Sequence, residues 1–497
     1  MYIPKSVTSI GSALLHYAAK LESVVVEDGN PVYDSRNNCN AIIEASINKL
    51  KFGCQNTIVP NGIKIIGVYA FYGMSNLQEI NLPESLTVFD TACLQQTGLT
   101  SIKLPSKLTT IGQEAFYLSN ISEFYIPALV SSIGNRALCT KHISSIVIDS
   151  KNTYYDSRNN CNAVIETASN TLIEGSNNTI IPNTVISIGY RAFNYCSDLI
   201  SLNIPISVTS IADQIFMGCL SLTSLTVDKN NPKFDSRNNC NAVIETDNNK
   251  FTVGIATSTI PEGVKIIGSG AFYGVTELTS IVLPSTLETI ETNAFYQTSL
   301  RSITIPSRVR EVQNSIVAYC NQLANIMVDA GNTVYDSRDN CNAIIETATN
   351  TLVVGCKTST IPNTITAIGD YAFYVSAITN ITIPDSVKTI GRCSFTFSHL
   401  ETVTIPDSVT SLGYYAFSSS NYLTTVVIGN GVTIIGAYAF NACYKLNSIT
   451  FRNSNNWKVY SNTTYADGIN AGVSSSDTFY NSTLFKSIYV NKWWKRG

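Results

Sequence analysis

Four near-copies of one polar string hold most of the residues with chemical reach. They are Tyr33-Asp34-Ser35-Arg36-Asn37-Asn38-Cys39-Asn40-Ala41, then Tyr155–Ala163, Phe234–Ala242 and Tyr335–Ala343. Each sets a carboxylate, a guanidinium and a thiol at fixed spacing: Asp34, Arg36 and Cys39; Asp156, Arg158 and Cys161; Asp235, Arg237 and Cys240; Asp336, Arg338 and Cys341. Two chemistries would use such a set. Asp, Asn and Ser oxygens can ligate Ca²⁺, and a cysteine beside Asp and Arg can be reactive. A structural loop uses the same residues differently: Asp and Asn form side-chain turns, Arg pairs with Asp, and Cys packs as a small hydrophobe. The loop reading carries more weight. A calcium site takes more carboxylates than one Asp per copy, and four copies of one active site on one chain would be unusual. A multivalent contact surface remains a further use.

The elements that position these strings are set by prolines. Thirteen of the 15 prolines, from Pro4 to Pro406, follow an Ile, Leu or Val at steps of 22 or 23 residues, or of 55 or 56. A fixed period of this size is the signature of a solenoid. One coil reads Ile181-Pro182, Val185, Ile188-Gly189, Ala192-Phe193, Cys196, Leu199, Leu202, Ile204. With a proline-less coil from Gly429, the chain holds fourteen such coils. The eleventh place after Pro is Phe in ten of them, usually behind an Ala. That predicts a stacked aromatic column. Runs such as Leu222–Val227 alternate at their ends and read as short strands with one buried face. Copies fall at Leu77–Leu82, Leu99–Leu104, Leu278–Leu283, Leu300–Ile305 and Leu400–Ile405, each closed by a Pro that cannot donate to a ladder. The Ala-Phe stretch is too short for an α-helix and predicts a 3₁₀ or single-turn element. The long steps equal one coil plus about 33 residues, an insert. Inside it, Ile/Val-Ile-Glu, a polar turn and a second apolar run read as a β-hairpin. The inserts lie near 28–59, 149–181, 228–260 and 329–361.

The pattern IPxxVxxIGxxAFxxCxxLxxIxI resembles the BspA-like leucine-rich repeat of bacterial and protist cell-surface proteins, over nearly the whole chain. The resemblance implies a β-rich or α/β-type leucine-rich-repeat solenoid, here of about 14 coils with four β-hairpin inserts. It also implies a cell-surface or secreted protein that works by adhesion. The expected organisation is one solenoid over 1–451 and an aromatic-rich capping segment over 452–497. There Trp457, Phe479, Tyr480, Trp493 and Trp494 are expected to cover the last coil, an aromatic ligand site being the alternative.

Composition narrows the function. The 497 residues carry 13% charged side chains and a net charge of −3, which argues against nucleic acid and anionic membrane as partners. No run approaches 18 apolar residues, so no bilayer span is expected. The 13 cysteines recur at equivalent places of different coils. Their odd number and ladder positions predict buried free thiols, not a disulfide framework. With three His and no CxxC, a zinc site is not expected, nor any other metal or cofactor. No charged and apolar leader is visible at Met1, and the chain opens inside a repeat. The expectation is that an N-terminal part precedes it, the alternative being that another domain or subunit covers the first coil.

On the strands the outward places are mostly small and polar, as in Ser201, Asn203, Ser224, Thr226, Thr402 and Thr404. The N-terminal third departs from this with Glu79, Lys103, Glu123 and Tyr125. These four are the candidate contacts for a partner. The resulting expectation is a non-enzymatic solenoid that binds a protein or glycan by repeated surfaces. The rival readings are an architectural spacer of a surface or phage appendage, and an enzyme built on the insert Cys/Asp/Arg trio.

Overall fold

The computed structural model describes all residues except 13, 464–468, 475 and 497. All but the first of these belong to the capping segment, whose course there lies outside the described residues. The chain divides into two compact units, Met1–Val243 and Ile244–Gly497. Each is a β-solenoid, and together they make about 20 turns.

In the first unit the Val-x-x-Ile places form a parallel ladder through Lys49–Phe52, Ile65–Ile66, Val88–Phe89, Thr110–Ile111 and Ser132–Ile133. A second ladder joins Thr171–Glu174 to Ser187–Ile188 and Ser210–Ile211. In the second unit Lys250–Gly254 leads into Ile266–Ile267, Thr289–Ile290 and Glu311–Val312. Thr351–Gly355 likewise leads into Ala367–Ile368, Thr389–Ile390, Ser411–Leu412 and Ile434–Ile435. These registers explain why the turns outnumber the fourteen proline-led coils. The last strand of an insert is itself a rung: Leu50 pairs with Ile66, and Leu172 with Ile188.

The strand runs before the prolines build another edge. Glu123–Ile126 pairs with Ser145–Ile148, Ser201–Ile204 with Ser224–Val227, Ser302–Ile305 with Asn325–Val328, and Thr402–Ile405 with Thr425–Ile428 and Ser448–Phe451, all parallel. The copies at 77–82, 99–104 and 278–283 lie outside these ladders and form no strand.

The Ala-Phe stretch is not a 3₁₀ helix but the other form expected, a turn element, closed by bonds between residues three apart. Alternate N–H groups take different partners. Those of Tyr69, Phe71 and Gly73 donate to Thr91, Cys93 and Gln95 of the next coil, while those of Ala70, Tyr72 and Met74 fold back on Gly67, Tyr69 and Phe71. This alternation needs left-handed backbone at the ninth and thirteenth places, as at Glu114 (φ 56°) and Leu118 (φ 57°). The inter-coil bonds offset a conformation that ordinary residues avoid.

The Phe side chains stand in columns along the axis. Ring centroids of Phe373, Phe395, Phe417 and Phe440 are 5.0, 5.1 and 5.4 Å apart and within 5° of parallel. That spacing is set by the ladder, whose strands lie about 4.8 Å apart. The column ends on Phe485, edge-on to Phe440 at 5.3 Å and stacked on Trp494 at 3.9 Å. Trp493–Arg496 pairs antiparallel with Ile434–Ile435 and closes the last rung. Among the aromatic residues of the cap, Trp457, Trp494 and Phe485 are buried. Phe479 and Tyr480, two residues expected to cover the coil, are exposed. They lie in the short helix Thr478–Thr483, whose buried Asn481 donates to the Ile449 carbonyl instead.

Candidate functional site

The insert strings fold alike. In the first, Asp34 Oδ1 accepts from Arg36 N (3.1 Å) and Nε (2.8 Å), Oδ2 accepts from Nη2, and Nη1 donates to Asn48 Oδ1 at 3.0 Å. Arg158 makes the same contacts with Asp156 and Asn170, and Arg338 with Asp336 and Asn350. Arg237 is bidentate to Asp235. Ser35 Oγ donates to the Ala41 carbonyl at 2.7 Å and accepts from Val26 N at 2.9 Å, locking the string to the preceding strand. Asn37, Asn38 and Asn40 take left-handed φ of 59°, 52° and 52°. Asn tolerates this backbone better than most residues.

These contacts spend the chemistry that the residue types offered. Both oxygens of each Asp are engaged by Arg. Burial would raise Asp34, but the hydrogen bonds from Arg36 outweigh it and hold the carboxyl below its ordinary value. Burial pushes the Cys39, Cys161, Cys240 and Cys341 thiols up, opposite to what a reactive thiolate needs. All 13 cysteines are free thiols, and only Cys219 is not fully buried. Among the described residues no three His, Cys, Asp or Glu side chains group to hold a metal.

The sequence reading passed over an asparagine three places before each Tyr or Phe of the string. Asn30, Asn152, Asn231 and Asn332 each donate through Nδ2 to two carbonyls of the preceding proline turn, for Asn152 those of Pro127 (3.1 Å) and Val130 (2.9 Å). Their Oδ1 atoms accept two backbone N–H groups of the string, Tyr154 N and Tyr155 N in the second copy. The signal was present as Asn-x-x-Tyr/Phe-Asp in all four copies. The Tyr hydroxyl adds a further link: Tyr155 Oη accepts Ile133 N, and Tyr335 Oη accepts Val312 N, each at 3.1 Å. A side chain thus caps a rung where the parallel ladder is interrupted.

Glu79, Lys103, Glu123 and Tyr125 are all exposed. Glu123 and Tyr125 pair with Ser145 and Val147 of the next strand. The same 22-residue step carries Lys103 to Tyr125, and two such steps carry Glu79 to Glu123. Tyr125 Oη donates to Asp149 Oδ2 at 2.9 Å. In the second unit the corresponding strands present exposed Ser302, Thr304, Thr402 and Thr404.

Comparison with known proteins places this geometry. A family model described as the BspA type leucine rich repeat region matches residues 41–164, 174–250, 243–348 and 352–467, in six copies. No curated protein matches the chain. Among solved structures, it is similar to a leucine-rich repeat protein from Eubacterium ventriosum, at 21% identity over 64% of this chain and 82% of that one, with a TM-score of 0.42. It is also similar to a leucine rich cell surface protein from Faecalibacterium prausnitzii, at 18% identity over 88% of this chain and 97% of that one, with a TM-score of 0.36. A leucine-rich repeat protein from Bacteroides ovatus is 23% identical over 60% of this chain and 70% of that one, with a TM-score of 0.32.

Proposed function

The chain belongs to the BspA-type leucine-rich repeat family, and from that premise we propose that it is a non-enzymatic binding solenoid. On this reading it is displayed at a cell surface or secreted and engages a protein or glycan partner. The observation that carries the proposal is the repetition of exposed, mostly uncharged strand faces on buried ladders. Repeated surfaces of this kind bind weakly at each copy and gain by avidity on a repetitive partner. The inserts serve this surface as structural brackets. Their Asp, Arg and Cys side chains are directed at the loop itself, so their role is to fix where each new run of coils begins.

The first contact region to test is Glu79, Lys103, Glu123 and Tyr125. The full chain, immobilised, should retain host-surface protein or glycan, and replacing Glu79, Lys103 and Tyr125 together with alanine should weaken retention. Because the repeated faces carry little charge, raising the ionic strength should reduce retention only modestly. Unchanged binding by the triple variant rejects this patch. A steep loss with salt rejects the uncharged-face reading, and a turnover that disappears with Cys161→Ser rejects a non-enzymatic role.

A further inference from the structure

The second unit carries a cleft of about 150 Å³ that neither the inserts nor the strand faces account for. Tyr319, Phe397 and Tyr422 line it and are 36%, 42% and 47% exposed. Exposed Asn321 and Asn421 line the same cleft. The lining also holds His399, whose ring centroid is 4.9 Å from that of Tyr422, and no Asp, Glu, Lys or Arg. The Tyr422 ring is held from outside the cleft lining by Lys445, whose Nζ lies 5.0 Å from its centroid.

The backbone beneath the cleft is left-handed, as it is at the same place of other coils. Tyr319, Val375, Phe397 and Ser419 stand at the thirteenth place of four successive proline-led coils, with φ of 60°, 52°, 58° and 56°. Elsewhere that place holds Leu118, Tyr195 and Gln297 as well as Gly218 and Gly274, all with positive φ, so the conformation belongs to the repeat. Left-handed backbone is costly for a bulky or β-branched residue. The rungs hold it in place: Val375 N donates to Thr396 O at 2.8 Å, Phe397 N to Ser418 O at 2.9 Å and Ser419 N to Asn441 O at 2.7 Å. Tyr319 N reaches Val375 O at 3.3 Å, so the row continues past the fourth insert.

We propose that this cleft binds a neutral saccharide chain. An aromatic face is electron-rich and takes up the C–H face of a pyranose ring, while the amides of Asn321 and Asn421 supply both donors and acceptors for the hydroxyl edge. An apolar floor with a few placed polar groups is the general form of a small-molecule site. With no Asp, Glu, Lys or Arg in its lining, the cleft offers a charged sugar no permanent ion pair there, which is the ground for a neutral ligand. The inference rests on the binding function proposed above and narrows it to one ligand class and one place.

The test uses the full chain on an array of neutral and sialylated oligosaccharides, followed by calorimetry with the neutral glycans retained. The site variant is Phe397→Asn with Tyr422→Ser, Asn being chosen because it tolerates the left-handed backbone. The expected result is binding of one or more neutral glycans, weakened about tenfold or more when the two rings are removed. Phe397→Tyr should keep the affinity, and the site variant should keep the parent's circular dichroism and melting temperature. Binding that is equal in parent and site variant overturns the proposal, as does binding confined to sialylated glycans or absent from the whole array. Adhesion to an enzymatically deglycosylated matrix protein, without any glycan binding, sinks the saccharide site and spares the wider binding function. No adhesion in either format sinks both.

Discussion

A carboxyl group stands in the core where three sister positions are apolar. Glu174 occupies the insert place filled elsewhere by Phe52, Val253 and Val354, and it is 4% exposed. Burial pushes its pKa up to about 8, against the backbone hydrogen bonds from Leu138 and Ala137 and the field of Arg136. Arg136 is itself paired with Glu114. An acid raised in the fold keeps its proton there after the unfolded chain has lost it. Stability is therefore fully present below the unfolded value and falls as pH rises through about 8. The fall should be on the order of 3–5 kcal/mol for the region around Glu174. Denaturant melts of Glu174→Gln should lose most of that pH dependence. A variant with the parent's slope would show that Glu174 is not the group responsible. A second residue-scale device is a glycine in each insert. A Cβ on Gly355 would come within 2.1 Å of the Phe373 ring, and Gly53, Gly175 and Gly254 face Phe71, Phe193 and Phe272 alike. Gly355→Ala should cost roughly 1–3 kcal/mol by overpacking, read as an earlier melt.

At the scale of the element, the coil is held by ladders and by its column of rings. Phe395 lies between Phe373 and Phe417 and is fully buried. Phe395→Ala should cost about 3–5 kcal/mol. Each coil touches only its neighbours, so hydrogen exchange should speed up around 384–428 and leave the rungs nearer Ile266 unchanged. Uniform acceleration along the second unit would contradict that locality. The turn that presents the ring was expected from sequence as a 3₁₀ or single-turn element, and its left-handed places were missed, for a physical reason. Its ninth and thirteenth places hold Tyr, Gln, Leu, Ser or Val as readily as Gly. Residue type carries no signal there because bonds to the next coil, not local preference, impose the left-handed backbone. The insert's role as a rung was hidden in a similar way. Its strands look like any hairpin, and only the register of Leu172 with Ile188 shows that the last strand continues the parallel ladder.

Over the whole molecule the cysteines behave as one population. The turn place of Cys196, Cys219, Cys320 and Cys443 is held by Ser or Thr in other coils, whereas the insert place is Cys in all four copies. Cys443 Sγ donates to the Phe417 carbonyl at 3.1 Å, as Ser420 Oγ does to Phe395 O at 2.8 Å. A weak donor in a buried turn is the role, and equivalent thiols are kept on separate coils. Titration of denatured, unreduced protein should count 13 free thiols, and the native protein should react slowly because burial suppresses the thiolate. Disulfides linking the insert cysteines would refute this.

The amino-acid sequence alone determined the period, the apolar places and the phase of the inserts. It could do so because each coil must bury the same face against an identical neighbour, so the same residue types recur and the pattern is averaged over many copies. It also exposed the aromatic column, since nothing but a stack of equivalent places explains ten phenylalanines in step. The tertiary structure decided what depends on neighbours: which N–H of a turn looks along the axis, which side chain caps an interrupted rung, and which rings close the end. It also decided where unlike coils assemble a cleft. Tyr319, Phe397 and Tyr422 belong to three different coils, and their meeting is a property of the stacking, written in no single repeat.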